Sequence, residues 1–182
     1  MKMHSPGLLR VLVLSAGAFL AGAPGLLAQT STPEPQKPDT TPIFSASGFD
    51  SVSEQALQAM RSQAEALHIG GVAVVAYSAG DTLYSWTSRM VVVGHMLELP
   101  TATRAKGNNL LAIAYAKAAE MAATLKDSGK LDRPVMTGEF GWEGGVVMKG
   151  KTGILIAAFS GGRSQDDVST SKAGLAVLSA SL

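Results

Sequence analysis

The chain has 182 residues, almost balanced charge and no cysteine. The lack of cysteine excludes disulfides, thiolate metal sites, cysteine nucleophiles and a lipid anchor on an N-terminal cysteine. The 15 basic and 14 acidic residues leave no basic field that could hold a nucleic acid. The length suits one domain with one substantial core.

The first 28 residues are typical of an export signal, with Lys2 and Arg10 around the start of an apolar stretch at residues 11–21. That stretch is too short to span a bilayer comfortably, which disfavours the alternative of a membrane anchor. Cleavage after residue 28 would leave 13 basic against 14 acidic residues. We therefore expect a periplasmic or secreted protein with no integral membrane segment after cleavage.

Residues 29–47 are rich in proline and threonine, with four prolines between residues 30 and 42. Prolines at this density prevent a helix, and the segment has no apolar face to bury. We expect a disordered tether here. It either spaces the domain from a membrane or wall or is a leader without a role. The folded domain is predicted at residues 48–182.

Hydrophobic periodicity predicts a helix and then a hairpin at the start of this domain. Apolar residues recur at helical spacing over residues 51–67. Residues 72–77 are apolar on both faces, which is typical of a central strand. A turn is predicted at residues 78–81 and a second strand at residues 82–88, with a possible extension through residues 91–93.

A connection at residues 95–107 leads to a second helix. Asn108 or Asn109 is predicted to cap that helix, because a short amide side chain can accept from its free N–H groups. An alanine-rich apolar stripe carries the helix to about residue 126. The following segment, residues 130–143, is long enough for a functional loop.

Residues 145–152 match the phosphate-loop pattern GxxxxGK[ST]. A true phosphate loop follows a buried strand and opens a helix, whereas residues 153–159 are rich in β-branched and aromatic types. We therefore interpret this segment as a hairpin, with strands at residues 145–149 and 153–159 and a tight turn at Gly150 and Lys151. ATP binding is disfavoured.

A last helix follows residues 160–163. Ser164 and Asp167 fit a capping box of the type [ST]xx[DE], and Leu175 and Leu178 are predicted to face inward. The element order is then α-β-β-α-β-β-α. Two hairpins and three helices predict an antiparallel sheet covered by helices, which is an α+β fold.

Three segments carry a resemblance to a known family. They are residues 71–83 with Arg89 and Met90 after them, the alanine-rich residues 114–119, and residues 143–175, which hold the most specific pattern. The chain is similar to the GlcG/HbpS family, the haem-degrading domain family, which includes the C-terminal domain of PduO-type proteins. The resemblance covers residues 50–182.

The resemblance implies a profilin-like αβα sandwich, a homo-oligomer, and haem binding by exported members. The chain departs from the family pattern at two places. Tyr77 stands where the family usually has an aspartate, and residues 91–94 are apolar where it has a polar turn.

Haem iron needs a nitrogen, sulfur or phenolate donor at an exposed, partly apolar position. His68 and His95 are the histidines beyond the export signal, and Met96 adjoins His95. We interpret one of these histidines as the iron ligand. The alternatives are that His68 complements the carbonyls at a helix C-terminus and that His95 is a solvent-facing loop residue.

Arg163 precedes a predicted helix N-terminus and could hold a carboxylate or a haem propionate there. Asp166 and Asp167 argue against that reading, because they can satisfy the same N–H groups. No Ser-His-Asp order, HExxH motif or paired-carboxylate constellation indicates catalysis.

The sequence therefore predicts an exported haem- or tetrapyrrole-binding protein with possible weak haem-degrading activity. The alternative is a non-catalytic module that senses a small ligand or binds another protein. An enzyme acting on small hydroxy or keto acids is a third possibility without a supporting cluster of residues.

Overall fold

The computed structural model describes residues 47–182 except Tyr84. The predicted export signal and all but the last residue of the predicted tether lie outside the described residues. In chain order the elements are α1 (Ser47–Ala66), β1 (Gly71–Ala79), β2 (Thr87–Val93), β3 (Leu97–Glu98), β4 (Asn108–Asn109), α2 (Leu110–Thr124), β5 (Gly145–Lys149), β6 (Gly153–Ser160) and α3 (Ser164–Ser181).

Four strands form one antiparallel sheet in the order β2-β1-β6-β5, and β3 pairs with β4 in a separate two-stranded ribbon. The two central strands, β1 and β6, are buried along almost their whole length. This explains why their sequences are apolar at consecutive positions and do not alternate. The predicted α+β fold and its element order are confirmed, with the short β3–β4 ribbon as an addition.

Each face of the sheet packs against helices, which gives a three-layer αβα sandwich. On one face, α1 and α3 contact each other and cover side chains that include Ala73, Val75, Leu155 and Phe159. On the other face, α2 covers Val72, Val74, Ile154, Ile156 and Ala158. Because successive strand residues point to opposite faces, the same two strands supply both cores.

The second strand was predicted too early in the chain. Residues 82–88 were expected to form it, but β2 begins at Thr87, which pairs with Tyr77. The connection from β1 is thus longer than a tight hairpin turn, and the apolar residues 91–93 supply the end of the strand. The later segment pairs with buried β1 because its apolar side chains can pack beside those of β1 on the faces that the helices cover.

The segment that matches the phosphate-loop pattern forms the predicted hairpin. β5 pairs with β6 from Gly145 opposite Ala158 to Lys149 opposite Ile154, and the N–H of Gly150 donates to the carbonyl of Gly153 at 2.7 Å. A strand follows the turn, so no helix N-terminus is available to face a phosphate at this position.

The predicted capping box at the start of α3 is wrong. Arg163 occupies the N-cap position, where its side chain caps no N–H group of the helix, so Ser164 is already the first helical residue. Asp167 is directed elsewhere, as described below. Leu178 is fully buried and Leu175 packs at the edge of the same core, as predicted. Among the described helices, none has the length and apolar character needed to cross a membrane.

Candidate functional site

The topology brings the sequence-predicted site residues to one end of the sheet. Gly71 pairs with Val93, and Val72 pairs with Ser160, so the start of β1 lies beside the ends of β2 and β6. We call this edge the Gly71 end of the sheet. His68 lies just before it, and His95 and Arg163 follow the two neighbouring strands.

His68 lies in the turn after α1, with an exposed side chain and a backbone φ of 56°. Its backbone N–H donates to the carbonyl of Glu65 at 3.0 Å, so the main chain closes the helix in the left-handed conformation common at C-termini. Within the described residues its imidazole makes no hydrogen bond. The side chain is therefore available to a ligand and does not cap the helix.

His95 follows β2 and is also exposed. Its ring lies directly over Gly70, where an added Cβ would stand 2.5 Å from Nδ1 of the imidazole. Met96 comes next, with an exposed side chain, and its carbonyl accepts from the N–H of Leu110 at 3.0 Å. The two residues therefore link the Gly71 end to the start of α2, whose N-cap is Asn109, as predicted.

Arg163 projects into solvent with 88% of its side chain exposed, and it pairs with Asp166 at 3.3 Å. The predicted carboxylate site at the start of α3, residues 161–164, is partly occupied by a carboxylate of the chain itself. The N–H of Gly162 donates to Oδ1 of Asp167 at 2.8 Å. A propionate could reach the Arg163 guanidinium, but it could not bind the backbone N–H of Gly162, which already donates to Asp167.

A cleft opens at the Gly71 end between the start of α2, the end of β6 and the start of α3. We call it the Ser160 cleft. Its volume is about 250 Å³, and its polar lining includes Glu98, Arg104, Lys117, Ser160, Ser164 and Asp167. Trp142 and Glu143 from the long loop form part of its rim.

Lys117 and Asp167 form a buried ion pair at the Ser160 cleft. Nζ of Lys117 lies 2.8 Å from Oδ2 of Asp167 and also donates to the carbonyl of Phe159 at 2.8 Å. The two side chains are only 4% and 5% exposed. Burial raises the pKa of the Asp167 carboxyl, and the Lys117 ammonium opposes that rise only in part.

Gly144 makes room for this ion pair. A Cβ at residue 144 would lie 2.2 Å from Nζ of Lys117 and 2.9 Å from Cβ of Asp167, and the residue has φ +140°. Its carbonyl accepts from Phe159 N at 3.0 Å and from Ser171 Oγ at 2.7 Å. The backbone ahead of β5 is therefore fixed between α2, β6 and α3.

A second buried acid on α2 holds the long loop. The carboxylate of Glu120 accepts from the N–H of Gly129 at 2.6 Å and from the N–H of Gly141 at 3.1 Å. Glu120 is almost fully buried. Since a carboxylate can accept several hydrogen bonds, it compensates for its burial by binding backbone donors at both ends of the loop.

Sequence reasoning missed Lys117, Asp167 and Ser160 as a group. The sequence did indicate that Lys117 is buried, since it lies four residues after Ile113 and four before Met121 on the buried stripe of α2. Asp167 was interpreted as part of a cap. Ser160 was assigned to a connection. Their convergence depends on tertiary packing.

Across the described residues, no group of three or more histidine, cysteine or acidic side chains is arranged to hold a metal ion. The Gly71 end therefore offers single imidazole donors from His68 and His95. The Ser160 cleft offers hydrogen-bond donors and a buried cation.

The comparisons with known proteins support the fold. No protein-family model matches the sequence, and no curated protein matches it. The fold is similar to that of PduOC in a crystal structure of the PduOC:haem complex, with a TM-score of 0.51 and 14% sequence identity. The match covers 70% of this chain and 91% of that chain. It agrees with the profilin-like αβα sandwich that the sequence resemblance implied.

Proposed function

We propose that the protein is an exported member of the GlcG/HbpS family that binds haem or a related tetrapyrrole at the Gly71 end. The observation that carries this proposal is the exposed His95 imidazole, which makes no hydrogen bond with the described residues and is followed by exposed Met96, Leu97 and Leu99. A nitrogen donor beside apolar surface is what a haem site requires. The similarity to PduOC, a protein crystallised with haem, supports the choice of ligand.

The residues present could hold haem iron through an imidazole and a propionate through a guanidinium, without enclosing the group in a pocket. His95 or His68 would hold the iron, and the exposed Arg163 guanidinium would pair with a propionate. The Ser160 cleft, at about 250 Å³, is smaller than the roughly 300–1,000 Å³ of sites that enclose a drug-sized ligand. The macrocycle would therefore lie against the outer surface near Met96 and Leu97.

Bound haem would supply redox chemistry at its iron, which is the basis of the weak haem-degrading activity that we include in the proposal. The role of the protein would be to hold the iron through an imidazole and to cover one side of the ring. A second copy could cover the other side, in keeping with the predicted homo-oligomer.

Titration of the full chain with hemin tests the proposal. We expect a shifted Soret band with a 1:1 endpoint, a weaker or altered band in His95→Ala or His68→Ala, and weaker binding in Met96→Ser. Met136→Ser is the matched control, because Met136 is 61% exposed on the long loop, away from both histidines in sequence. If hemin binding is unchanged in the double variant His68→Ala/His95→Ala, the ligand assignment is wrong. If the wild type shows no saturable hemin binding, the proposed function is wrong.

The alternative of a protein-interaction module is favoured by one feature of the long loop. The rings of Phe140 and Trp142 contact each other in a tilted arrangement, with centroids 4.8 Å apart and planes at 36°. Both remain about half exposed, with exposed Val135 and Met136 nearby in the chain. Exposed apolar groups of this kind are common in binding surfaces. Pull-down with the wild type and with Trp142→Ser distinguishes the readings, because haem binding through His95 does not require Trp142.

A further inference from the structure

The Ser160 hydroxyl lies where it could bind a ligand. Ser160 ends β6 and is 4% exposed, and it lies on the same sheet face as Ile156 and Ala158, toward α2. Its side chain lines the Ser160 cleft, and among the described residues the hydroxyl has no hydrogen-bond partner. Among the described residues, the buried side-chain polar atom without a partner is the Thr170 hydroxyl, so the Ser160 hydroxyl reaches the solvent of the cleft and is available to a ligand there.

Lys117 adds an unused donor at the same cleft. An ammonium group has three N–H donors, and those of Lys117 bind the Phe159 carbonyl and the Asp167 carboxylate, which leaves one unassigned among the described residues. Ser164 also lines the cleft at the start of α3, and its side chain makes no hydrogen bond within the part of the chain that the structure describes. The helix itself begins without a side-chain cap.

The carboxylates around the cleft already have partners within the chain. Glu98 pairs with Arg104 at 2.7 Å, Asp167 pairs with Lys117, and Glu143 pairs with Lys130. Among the described lining residues, the side-chain groups without an assigned partner are therefore one N–H of Lys117, which can only donate, and the hydroxyls of Ser160 and Ser164, which can each donate. Donors that converge in a partly buried space favour an anionic acceptor, because charge-assisted hydrogen bonds are the strong ones.

We propose that the Ser160 cleft binds the carboxylate of a small organic acid, with Oγ of Ser160 and Nζ of Lys117 as its donors. The volume of about 250 Å³ suits an acid of a few carbon atoms. The site is independent of the proposed haem ligands, since it requires neither His68 nor His95. A carboxylate could also come from a haem propionate that reaches the cleft.

The test is a titration of the ¹⁵N-labelled full chain with acetate, lactate and pyruvate, followed by the backbone amide signals of Gly161, Gly162 and Ser164. We expect saturable shifts with at least one acid and none with acetamide or lactamide, which lack the charge. The shifts should be absent for amides at the opposite end of the sheet, such as that of Ala79.

A pair of serine variants checks the assignment. Ser160→Ala should weaken binding of the acid by about tenfold, the loss expected for one hydrogen bond to a charged group. Ser78→Ala is the control, because Ser78 is 3% exposed in the neighbouring central strand at the other end of the sheet. It should bind the acid as the wild type does.

The outcomes separate the possible sources of the carboxylate. If hemin displaces the acid and Ser160→Ala weakens both ligands, the carboxylate belongs to a propionate, and the donor assignment stands. If hemin binds without displacing the acid, the cleft serves a free acid. The proposal is overturned if no acid saturates, if the neutral amides bind equally, or if Ser160→Ala binds the acid as Ser78→Ala does. None of these results depends on whether hemin binds through His95.

Discussion

Lys117 and Asp167 join the two helical layers through a buried ion pair, although their helices lie on opposite faces of the sheet. The contact passes Gly144, just before the start of β5, where a Cβ would collide with both side chains. Each charge also has a backbone partner, the Phe159 carbonyl for the ammonium and the Gly162 N–H for the carboxylate. The pair therefore fixes the geometry of the Ser160 cleft.

Removing one partner of this pair should destabilise the fold strongly. Lys117→Met leaves the Asp167 carboxylate buried without its cation, and we expect a loss of about 3–5 kcal/mol in the free energy of unfolding measured by urea denaturation. The matched control is Lys149→Met, which breaks the exposed pair with Asp81, 69% and 76% exposed, and should cost at most about 1 kcal/mol. Equal losses in the two variants would contradict a structural role for the buried pair.

The loss in Lys117→Met should also depend on pH. The folded-state pKa of Asp167 is raised by burial, so its protonated form is the one the fold tolerates best. A group with a raised folded pKa contributes stability below its unfolded pKa, and that contribution is lost as the pH rises through the folded value. The difference in the free energy of unfolding between Lys117→Met and the wild type should therefore become smaller as the pH falls toward the ordinary carboxyl range. The double variant Lys117→Met/Asp167→Leu should lack this pH dependence.

Gly144→Ala should disrupt the same region by crowding. The new Cβ would overlap Nζ of Lys117, and the residue would keep a positive φ that alanine disfavours. Gly138→Ala separates the two effects, since Gly138 has φ +95° but open space around it. We expect Gly138→Ala to cost about 1–2 kcal/mol of unfolding free energy from backbone strain alone, and Gly144→Ala to cost clearly more. Similar losses of unfolding free energy in the two variants would show that Lys117 and Asp167 can move aside for the new methyl group at little cost.

Much of the fold followed from local patterns. The unbroken apolar runs of β1 and β6 identified both central strands, and the side-chain amide of Asn109 caps α2 by accepting from the N–H of Ala112. The errors came where tertiary pairing overrode a local signal. Residues 82–86 alternate as a strand would, but the register against β1 places β2 later, from Thr87.

The candidate site was predictable only in part. His68 and His95 were identified as candidate ligands from the sequence, and that role stays a prediction, whereas their common position at the Gly71 end of the sheet is known only from the structure. The cleft could not be predicted, since Lys117, Ser160 and Asp167 are distant in sequence and meet only when α2, β6 and α3 pack together. Gly144 gave no local indication that its lack of a side chain leaves room for two charged side chains to meet.

The long loop should lose part of its order in acid. Arg133 forms two hydrogen bonds to the carboxylate of Glu139, at 2.8 and 2.6 Å, and these hold the pKa of Glu139 at about 2, well below its ordinary value of 4.5. A lowered folded pKa means that the contribution to stability is present above the ordinary pKa and is lost as the pH falls through the folded value.

This behaviour can be followed through the amide signal of Met136, whose N–H donates to Glu139 at 2.9 Å. The signal should be constant from neutral pH down to about 4.5 and then move with an apparent pKa of about 2. Glu139→Gln should abolish that transition. A midpoint near the ordinary carboxyl value in the wild type would contradict the arrangement with Arg133.

Thr152 should matter for stability and Lys151 should not, which reverses their importance in a phosphate loop. The hydroxyl of Thr152 donates to the carbonyl of Leu182 at 3.0 Å and accepts from the Tyr77 hydroxyl at 3.0 Å, while Lys151 is exposed. Thr152→Val should therefore cost about 1–2 kcal/mol of unfolding free energy, and Lys151→Ala less than about 0.5 kcal/mol. Thr152→Ser keeps the hydroxyl and should recover most of the loss in urea denaturation.

The same variants separate the hairpin from a nucleotide site. In a phosphate loop the lysine and threonine contact the nucleotide phosphates and magnesium, so both variants would reduce stabilisation by MgATP. Here β6 follows directly after the turn, and the Thr152 hydroxyl both donates and accepts a hydrogen bond within the chain. We expect MgATP to leave the melting temperature of the wild type unchanged. A saturable rise that Lys151→Ala removes would contradict the structural role assigned to this segment.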